Sequence, residues 1–515
     1  MSKELIRQTI LLIATTAAVY TLFSYGGIRS PDSEIVFRTA EALAATGTFA
    51  LTTDITQIKG FGLPQGKDGQ LYSLFGPGES LFAAPFVKIA LIINRTRWYE
   101  HVPRLIPVSH YVDAGILTFV DSKTPENLEP HALRFLVSCF NVVVGSLCVG
   151  LFFLTVKLLS QSEVAAILVT ILFAFGSLMM PYSGSFFSEP LATMFVLLSL
   201  YCLVWNDLSH TDVERQRTLR SFVSGISLGL AVITHITAIL FVPFFAVYAF
   251  SAFVKEGRTW KQMIQPGLIF VAGVALMLVL LGFFNFARFG NIFETGRTVN
   301  PKIIYASFVA PWRGLVGLLV SSGKGIVWYC PAVIVSLISW RSFHKRYTFL
   351  SFIILTAVVF RVCLIAARSD WHGGYSLGPR YLVMIVPLML LPLGEALVSW
   401  FNEGKLKMIW LFCGLMALCI WEQIYFCIGE IFSFLHVVRW SFDAQGTNVF
   451  QNDSLYLDWD KSPLLYLLNV KQGPFLFRIF FIDNYTLFLW GIGISGIILF
   501  LVYTSLLRKS LGRWC

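Results

Sequence analysis

Two carboxylates two positions apart, Asp32 and Glu34 in the stretch SPDSE, follow directly on the first apolar run of the chain. An acid at the end of a membrane helix meets lipid and water at once. There it can act as a general base on a hydroxyl while a membrane-borne substrate lies within reach. The plainer reading is a helix start, since carboxylates in a first turn gain about 0.3–1 kcal/mol each from the N-terminal dipole. Side chains two apart do not share a helix face, so a single catalytic acid with a supporting neighbour fits better than a paired-acid dyad. The same pair could bind a divalent cation, which leaves metal use open.

Further polar groups recur in short motifs along the chain. Ser188 and Glu189 stand immediately before Pro190 in PYSGSFFSEPLA, and Arg288, Glu294, Gly296 and Arg297 fall in FARFGNIFETGR. Lys324 lies in VSSGKGIV, and Asp370, Trp371, His372 and Arg380 in SDWHGGYSLGPRYL. Taken singly each has a structural explanation: Glu189-Pro190 as a helix start, Lys324 and Arg380 as snorkelling anchors, His372 as a packed loop residue. The glycines mark turns or close backbone approach and lack the Walker and dinucleotide spacings.

The elements that must position these residues follow from composition. Of 515 residues 56% are hydrophobic, 15% aromatic and only 13% charged, and the mean hydropathy is +0.71. That composition belongs to an integral membrane protein rather than a soluble one. The net charge of +10 lies mostly between apolar runs, as cytoplasmic loops beside anionic lipid require, and argues against a nucleic-acid partner. The nine cysteines fall largely inside apolar runs without metal-binding spacing.

Runs of about 20 apolar residues, the length that crosses a ~30 Å hydrocarbon core, number about twelve. The first, Leu5 to Phe23, reads as an uncleaved helix; the others centre near Val143, Ile171, Phe195, Leu228, Phe245, Val274, Val333, Leu355, Met384, Phe412 and Leu499. The expected fold is an all-α polytopic membrane protein. Both termini are expected in the cytoplasm, because Arg215/Arg217/Arg220, Lys255/Arg258/Lys261, Arg341/Lys345/Arg346, Lys405/Lys407 and Arg508/Lys509/Arg513 then all face it. All the motifs above then share the opposite side. Cations there run against the positive-inside tendency, and an anionic ligand such as a phosphate would supply the reason.

On that outer side the longest loop comes first, about residues 24–131, and a second large segment covers about 430–484. Ser30 and Pro31 predict a helix start, with Val36, Ala40 and Leu43 on its apolar face and Glu34, Arg38 and Glu41 on its polar one, so a helix lying on the membrane surface is expected. Residues 80–93 predict a second surface or re-entrant helix. Residues 1–400 are read as the membrane-embedded core and 401–515 as C-terminal helices with the segment 430–484.

The order SPDSE, DGQLYSLFGPGESLFAAPF, PYSGSFFSEPLA, FGNIFETGR, GLLVSSGKGIVWYCPA and WHGGYSLGPRYLVMIVP resembles the polytopic bacterial glycosyltransferases of the C-type fold. These use polyprenyl-phosphate sugars and are distantly similar to protein O-mannosyltransferases and the lipid A aminoarabinose transferase. The likeness runs from the N-terminus to about Pro392. It implies a multi-pass protein of the bacterial inner membrane, a lipid-phosphate sugar donor, an extracytoplasmic active site and a lipid, glycan or protein acceptor. It places the catalytic carboxylate at Asp32 with Glu34 beside it, the family's acids being more often adjacent, so the choice of base stays open. Glu189, Arg297, Lys324, His372 and Arg380 are the expected substrate-binding residues, with Lys324 and Arg380 against the lipid phosphate. A transporter or flippase for a lipid-linked sugar is the alternative, but transporters tend to show repeated halves and midplane charges. No cofactor is identified.

Overall fold

A computed structural model describes residues 2–24, 26–28, 30–51, 63–103, 106, 109–113, 116–119, 124–208, 214–251, 260–299, 307–374, 376–428 and 454–466. The helices that matter here are α1 (Lys3–Leu22), α2 (Pro31–Thr46), α3 (Gly78–Asn94), α4 (Pro125–Ser160), α5 (Glu163–Phe175), α6 (Glu189–Leu208), α7 (Glu214–Thr234), α8 (Val242–Ser251) and α9 (Trp260–Phe289). They continue with α10 (Trp312–Val320), α11 (Ala332–Arg346), α12 (Thr348–Ala366), α13 (Pro392–Asn402) and α14 (Leu406–Ile428). The described residues depart from an all-α architecture at one antiparallel ribbon, β1 (Ser109–Asp113) against β2 (Ile116–Phe119).

Among the described residues seven helices are long and apolar enough to cross a membrane: Lys3–Leu22, Asn127–Ser160, Glu189–Leu208, Ile264–Phe289, Thr348–Ala366, Arg380–Asn402 and Leu406–Cys427. Glu163–Phe175 and Ile236–Ser251 are shorter apolar helices. Two further expected centres, Leu228 and Val333, lie in α7 and α11. Those helices begin or end in charged residues, and α11, at 15 residues and 1.5 Å each, falls short of a ~30 Å core. The expected run around Leu499, the basic cluster Arg508/Lys509/Arg513 and most of segment 430–484 lie outside the described residues. Exposed side chains such as Phe283, Val279, Ile338, Phe352 and Leu411 leave broad apolar helix faces, which suits lipid as the surrounding solvent.

The chain forms two compact units whose segments alternate: residues 1–23, 145–183 and 306–515 in one, and residues 24–144 and 184–305 in the other. Contacts between distant segments, not boundaries along the chain, define each unit.

In the unit of residues 24–144 and 184–305, α2 starts at the expected place. Ser30 takes the extended N-cap conformation, Pro31 opens the helix, and Gly47 closes it with φ +74°. The helix is not a surface helix with a wet polar face, however. Ser33, Glu34, Ile35, Val36, Phe37, Thr39, Ala40 and Ala42 are all buried, with Ile35 packed among Leu51, Leu63, Leu71 and Phe75. Glu34, placed on the polar face by periodicity, is inside. Helix α3 packs on α2, where Ser80 Oγ donates to the Val36 carbonyl at 2.8 Å, and presents Leu81, Phe82, Ile89, Ile92 and Ile93 outward. Helix α4 begins at Pro125, several residues before the expected end of the loop, and so brings His131 and Arg134 into helical structure.

Helices α7 and α9 approach closely at two glycines. A Cβ on Gly225 would stand 2.1 Å from the Phe270 carbonyl oxygen, and one on Gly273 2.8 Å from the Ile226 nitrogen. Small residues at such crossings let backbones touch where lipid provides no hydrophobic drive for association. Gly225→Val is therefore expected to lower the detergent-extracted unfolding midpoint, at a cost of about 1–3 kcal/mol. Gly414→Ala in α14, where an added methyl meets nothing within 4 Å, is expected to leave the midpoint unchanged or raise it.

Candidate active site

The acidic pair is split by its environment. Glu34 is 1% exposed and accepts from Arg134: Nε donates to Oε2 at 2.9 Å and Nη2 to Oε1. Arg38, one turn along the helix, donates through Nε to Oε1 at 2.7 Å. The Arg134 guanidinium also stacks over Phe37 at 4.8 Å and donates through Nη1 to the Pro130 carbonyl at 2.9 Å. A buried carboxylate held by two guanidiniums is a fixed structural charge. Asp32, two positions earlier, is half-buried and sits in the first turn of α2. Sequence reading missed Arg134, although an arginine inside the apolar run PHALRFLVSCF is itself a signal that a buried acid awaits it.

Glu189, also 1% exposed, opens α6. The His235 Nε2 lies 3.8 Å from its Oε1, and the Nδ1 of the same ring is 2.8 Å from the Thr237 hydroxyl. Arg288 is buried and pinned: it donates through Nη1 to the Ser73 carbonyl at 2.7 Å and through Nη2 to Asn285 Oδ1 at 2.9 Å, and stacks over Phe284 at 3.9 Å. It ties the YSLF turn to the end of α9. Glu294 accepts from the backbone of Gly296 at 2.6 Å and of Thr298 at 3.2 Å, which fixes the turn carrying the half-buried Arg297.

The other unit gathers Lys324, His372 and Arg380. Lys324 is 1% exposed, and its Nζ donates to the carbonyls of Gly374 at 2.9 Å and Ser376 at 2.7 Å and to the Ser376 hydroxyl at 3.0 Å. Three oxygens take up the three protons of an ammonium, while burial and the Arg380 guanidinium pull its pKa below the usual lysine range. The turn it grips owes its shape to Gly373 and Gly374, with φ of +68° and +70°. His372 Nδ1 accepts from the Gly374 nitrogen at 3.0 Å, so that nitrogen carries no proton. Burial first, then Lys324, brings the His372 pKa down to about 3. The ring is a neutral packed group. Arg380 is half-buried, at the start of the helical segment Arg380–Ile385, with its guanidinium 5.5 Å from the Tyr381 ring. Asp370 is held in a fork by Arg368 at 2.7 and 2.6 Å.

Tyr456, from the segment 430–484, completes this cluster. Its ring stacks on His372 at 4.2 Å and 15° and meets Lys324 Nζ at 5.3 Å. Its carbonyl accepts from the Gly323 nitrogen at 3.1 Å, and Ser322 Oγ donates to the Asp458 carbonyl at 3.2 Å. Two elements far apart in sequence thus close over one lysine. No local pattern marks Tyr456 in advance. Among the described residues no three or more His, Cys, Asp or Glu side chains are grouped to hold a metal ion.

Residues 116–295, about a third of the chain, match the family described as dolichyl-phosphate-mannose-protein mannosyltransferase. No curated protein matches the chain by sequence. Among solved structures, ArnT from Cupriavidus metallidurans bound to undecaprenyl phosphate is 12% identical, with 88% of this chain and 75% of that one covered and a TM-score of 0.45. The archaeal oligosaccharyltransferase AglB from Archaeoglobus fulgidus, in complex with an inhibitory peptide and a dolichol-phosphate, is 13% identical, with 81% and 55% covered and a TM-score of 0.46. The chain spans about half the length of that AglB. The family match agrees with the resemblance read from the motifs.

Removing one partner of a buried ion pair leaves a desolvated charge and costs about 3–5 kcal/mol. Arg134→Ala is accordingly expected to lower the unfolding midpoint of purified protein steeply, and the double change Arg134→Met with Glu34→Leu to recover much of the loss. Equal midpoints for wild type and Arg134→Ala would show that the pair is not part of the framework.

Proposed function

We propose that this chain is a membrane glycosyltransferase that moves a sugar from a polyprenyl-phosphate donor to an acceptor hydroxyl on the extracytoplasmic side. The observation that carries this reading is the division of the acidic pair. Glu34 is committed to Arg134 and Arg38, whereas Asp32 keeps contact with solvent in the first turn of α2. The match of residues 116–295 to a family named for a lipid-phosphate sugar supports the donor class.

In this reaction Asp32 takes the proton of the acceptor hydroxyl. The acceptor oxygen forms a bond to the anomeric carbon, the bond from that carbon to the phosphate oxygen breaks, and the lipid phosphate departs as an anion. Cations fixed in advance stabilise the charge growing on the phosphate. Arg380, half-exposed, is the cation for that phosphate. Lys324 has its three protons engaged by Gly374 and Ser376, so it acts through the turn rather than on the substrate. Glu34 orients α2, Glu189 and Arg297 are proposed to contact substrate, and His372 shapes the Lys324 turn.

The reading is tested with purified protein and a panel of radiolabelled polyprenyl-phosphate sugars, each offered with lipid, glycan and peptide acceptors. The expected result is release or transfer of one sugar, with Asp32→Asn slowing turnover by roughly 10²–10⁴ at unchanged thermal stability. Glu34→Gln is expected to cost mainly stability, and Arg380→Ala to weaken donor binding. Full activity in Asp32→Asn would reduce that residue to a helix-start device. Donor that crosses a vesicle membrane intact, with no sugar released, would point to the transporter instead.

The sidedness is proposed from the cation clusters Arg215/Arg217/Arg220, Arg341/Lys345/Arg346 and Lys405/Lys407, which face the cytoplasm if the termini do. A topology reporter fused after Arg513 is expected to read cytoplasmic and one inserted near Asp113 extracytoplasmic. Both on one side would overturn the assignment.

A further inference from the structure

Glu79, from the FGPGE stretch, has no role in the chemistry above, yet its carboxyl is the most deeply buried acid in its surroundings. It is 0% exposed, second residue of α3, and neither oxygen accepts a hydrogen bond. Two neighbours act on its charge: the Glu189 carboxyl, which is 1% exposed, and the side chain of Asn141 in α4.

The hydrogen-bond inventory of Asn141 decides what lies between them. Its Nδ2 donates to the Ser185 carbonyl at 2.7 Å and to the Phe187 carbonyl at 2.7 Å, which uses both amide protons. Turning the amide over would set Oδ1 against two carbonyl oxygens, so this orientation is fixed by its partners. The remaining Asn141 atom, Oδ1, is buried and has no donor. A carboxylate placed against that oxygen would be acceptor against acceptor beside a second carboxylate.

We propose that Glu79 is a neutral carboxylic acid that donates its proton to Asn141 Oδ1 and thereby positions the loop that delivers Glu189. One proton gives Asn141 Oδ1 a donor and one Glu79 oxygen a partner, and removes one of two adjacent negative charges. Two effects oppose it: the α3 N-terminus, which favours an anion, and a hydrogen bond from the Asn141 amide, which would lower the Glu79 pKa but whose two protons are already donated to carbonyls. Burial first, then Glu189, pushes the Glu79 pKa up. A metal ion would be the other way to quiet two acids, but Glu79, Glu189 and His235 are not grouped as a metal-holding set. The neutral acid holds Asn141, Asn141 holds the carbonyls of residues 185 and 187, and that loop runs directly into Ser188-Glu189. The significance of placing Glu189 rests on the function proposed above; the protonation of Glu79 does not.

The test is infrared spectroscopy of the detergent-purified full chain at neutral pH, wild type against Glu79→Gln, in light and heavy water, with metal analysis of the same samples. The expected result is a carboxylic-acid C=O band, separate from the carboxylate bands and sensitive to deuterium, that is present in the wild type and lost in Glu79→Gln. The Gln amide still donates to Asn141 Oδ1, so the unfolding midpoint is expected to stay at the wild-type value, while Glu79→Ala lowers it. Identical carboxylic-acid bands in folded wild type and Glu79→Gln would overturn the proposal. So would a stoichiometric divalent metal found in the wild type and absent from Glu79→Gln. The band is read without turnover, so a failure to find glycosyl transfer leaves it standing and counts only against the proposed reaction.

Discussion

Every charge placed beyond the reach of water must be answered by another group of the protein, and the buried polar residues here are arranged by that requirement. An isolated ion in a low-dielectric interior costs several kcal/mol even after relaxation, more than any single apolar contact returns. Glu34 is tolerable inside because Arg134 and Arg38 surround it. Arg288 is tolerable because a carbonyl, an amide oxygen and aromatic faces receive it. Arg361, fully buried in α12, donates through Nη2 to the Tyr381 carbonyl at 2.9 Å, and Lys324 is gripped by three oxygens. These pairings join segments remote in sequence, so they fix the arrangement of helices within each unit as firmly as packing does.

The same requirement separates structural from chemical groups. A side chain whose hydrogen-bonding capacity is already filled by protein has little left for a substrate. Glu34, Lys324 and Asp370 are of that kind, and their motifs, which look catalytic in the sequence, are in part the framework's own wiring. Asp32 and Arg297 in one unit, and Arg380 in the other, are only half-buried. Within each unit, a rigid inner layer that spends its bonds on the fold can hold such outer groups in place with access to solvent.

How much of this was legible in the sequence depends on the range of the interaction involved. Helix starts are local, and SPDSE announced α2 to the residue, because a proline at the first position and acids in the first turn act within one turn of backbone. Apolar runs are local too, and each expected centre within the described residues lies in a helix. Burial is not local. Periodicity placed Glu34 on a wet face because its neighbours along the helix are polar, and only Arg134, a hundred positions away, reverses that. Tyr456 over His372 is likewise invisible, since no spacing rule links positions 84 apart. The interleaved units have the same cause: membership is decided by contacts the linear order does not contain.

The glycines show where local and distant constraints meet. In FGPGE, WHGGY and the pair Gly225 and Gly273, the absence of a side chain is a local fact, but its reason lies in another segment. At Gly225 that reason is the Phe270 backbone; at Gly373 and Gly374 it is a left-handed turn whose carbonyl at position 374 faces the Lys324 ammonium. A turn that bends its carbonyls inward concentrates negative ends of dipoles, and a buried cation is the natural group to occupy them. The motif SSGKG and the motif WHGGYS are therefore halves of one device, written fifty residues apart, and neither half alone reveals whether its charge serves a ligand or the fold. The oxygens around Lys324 show that its ammonium is engaged by the fold.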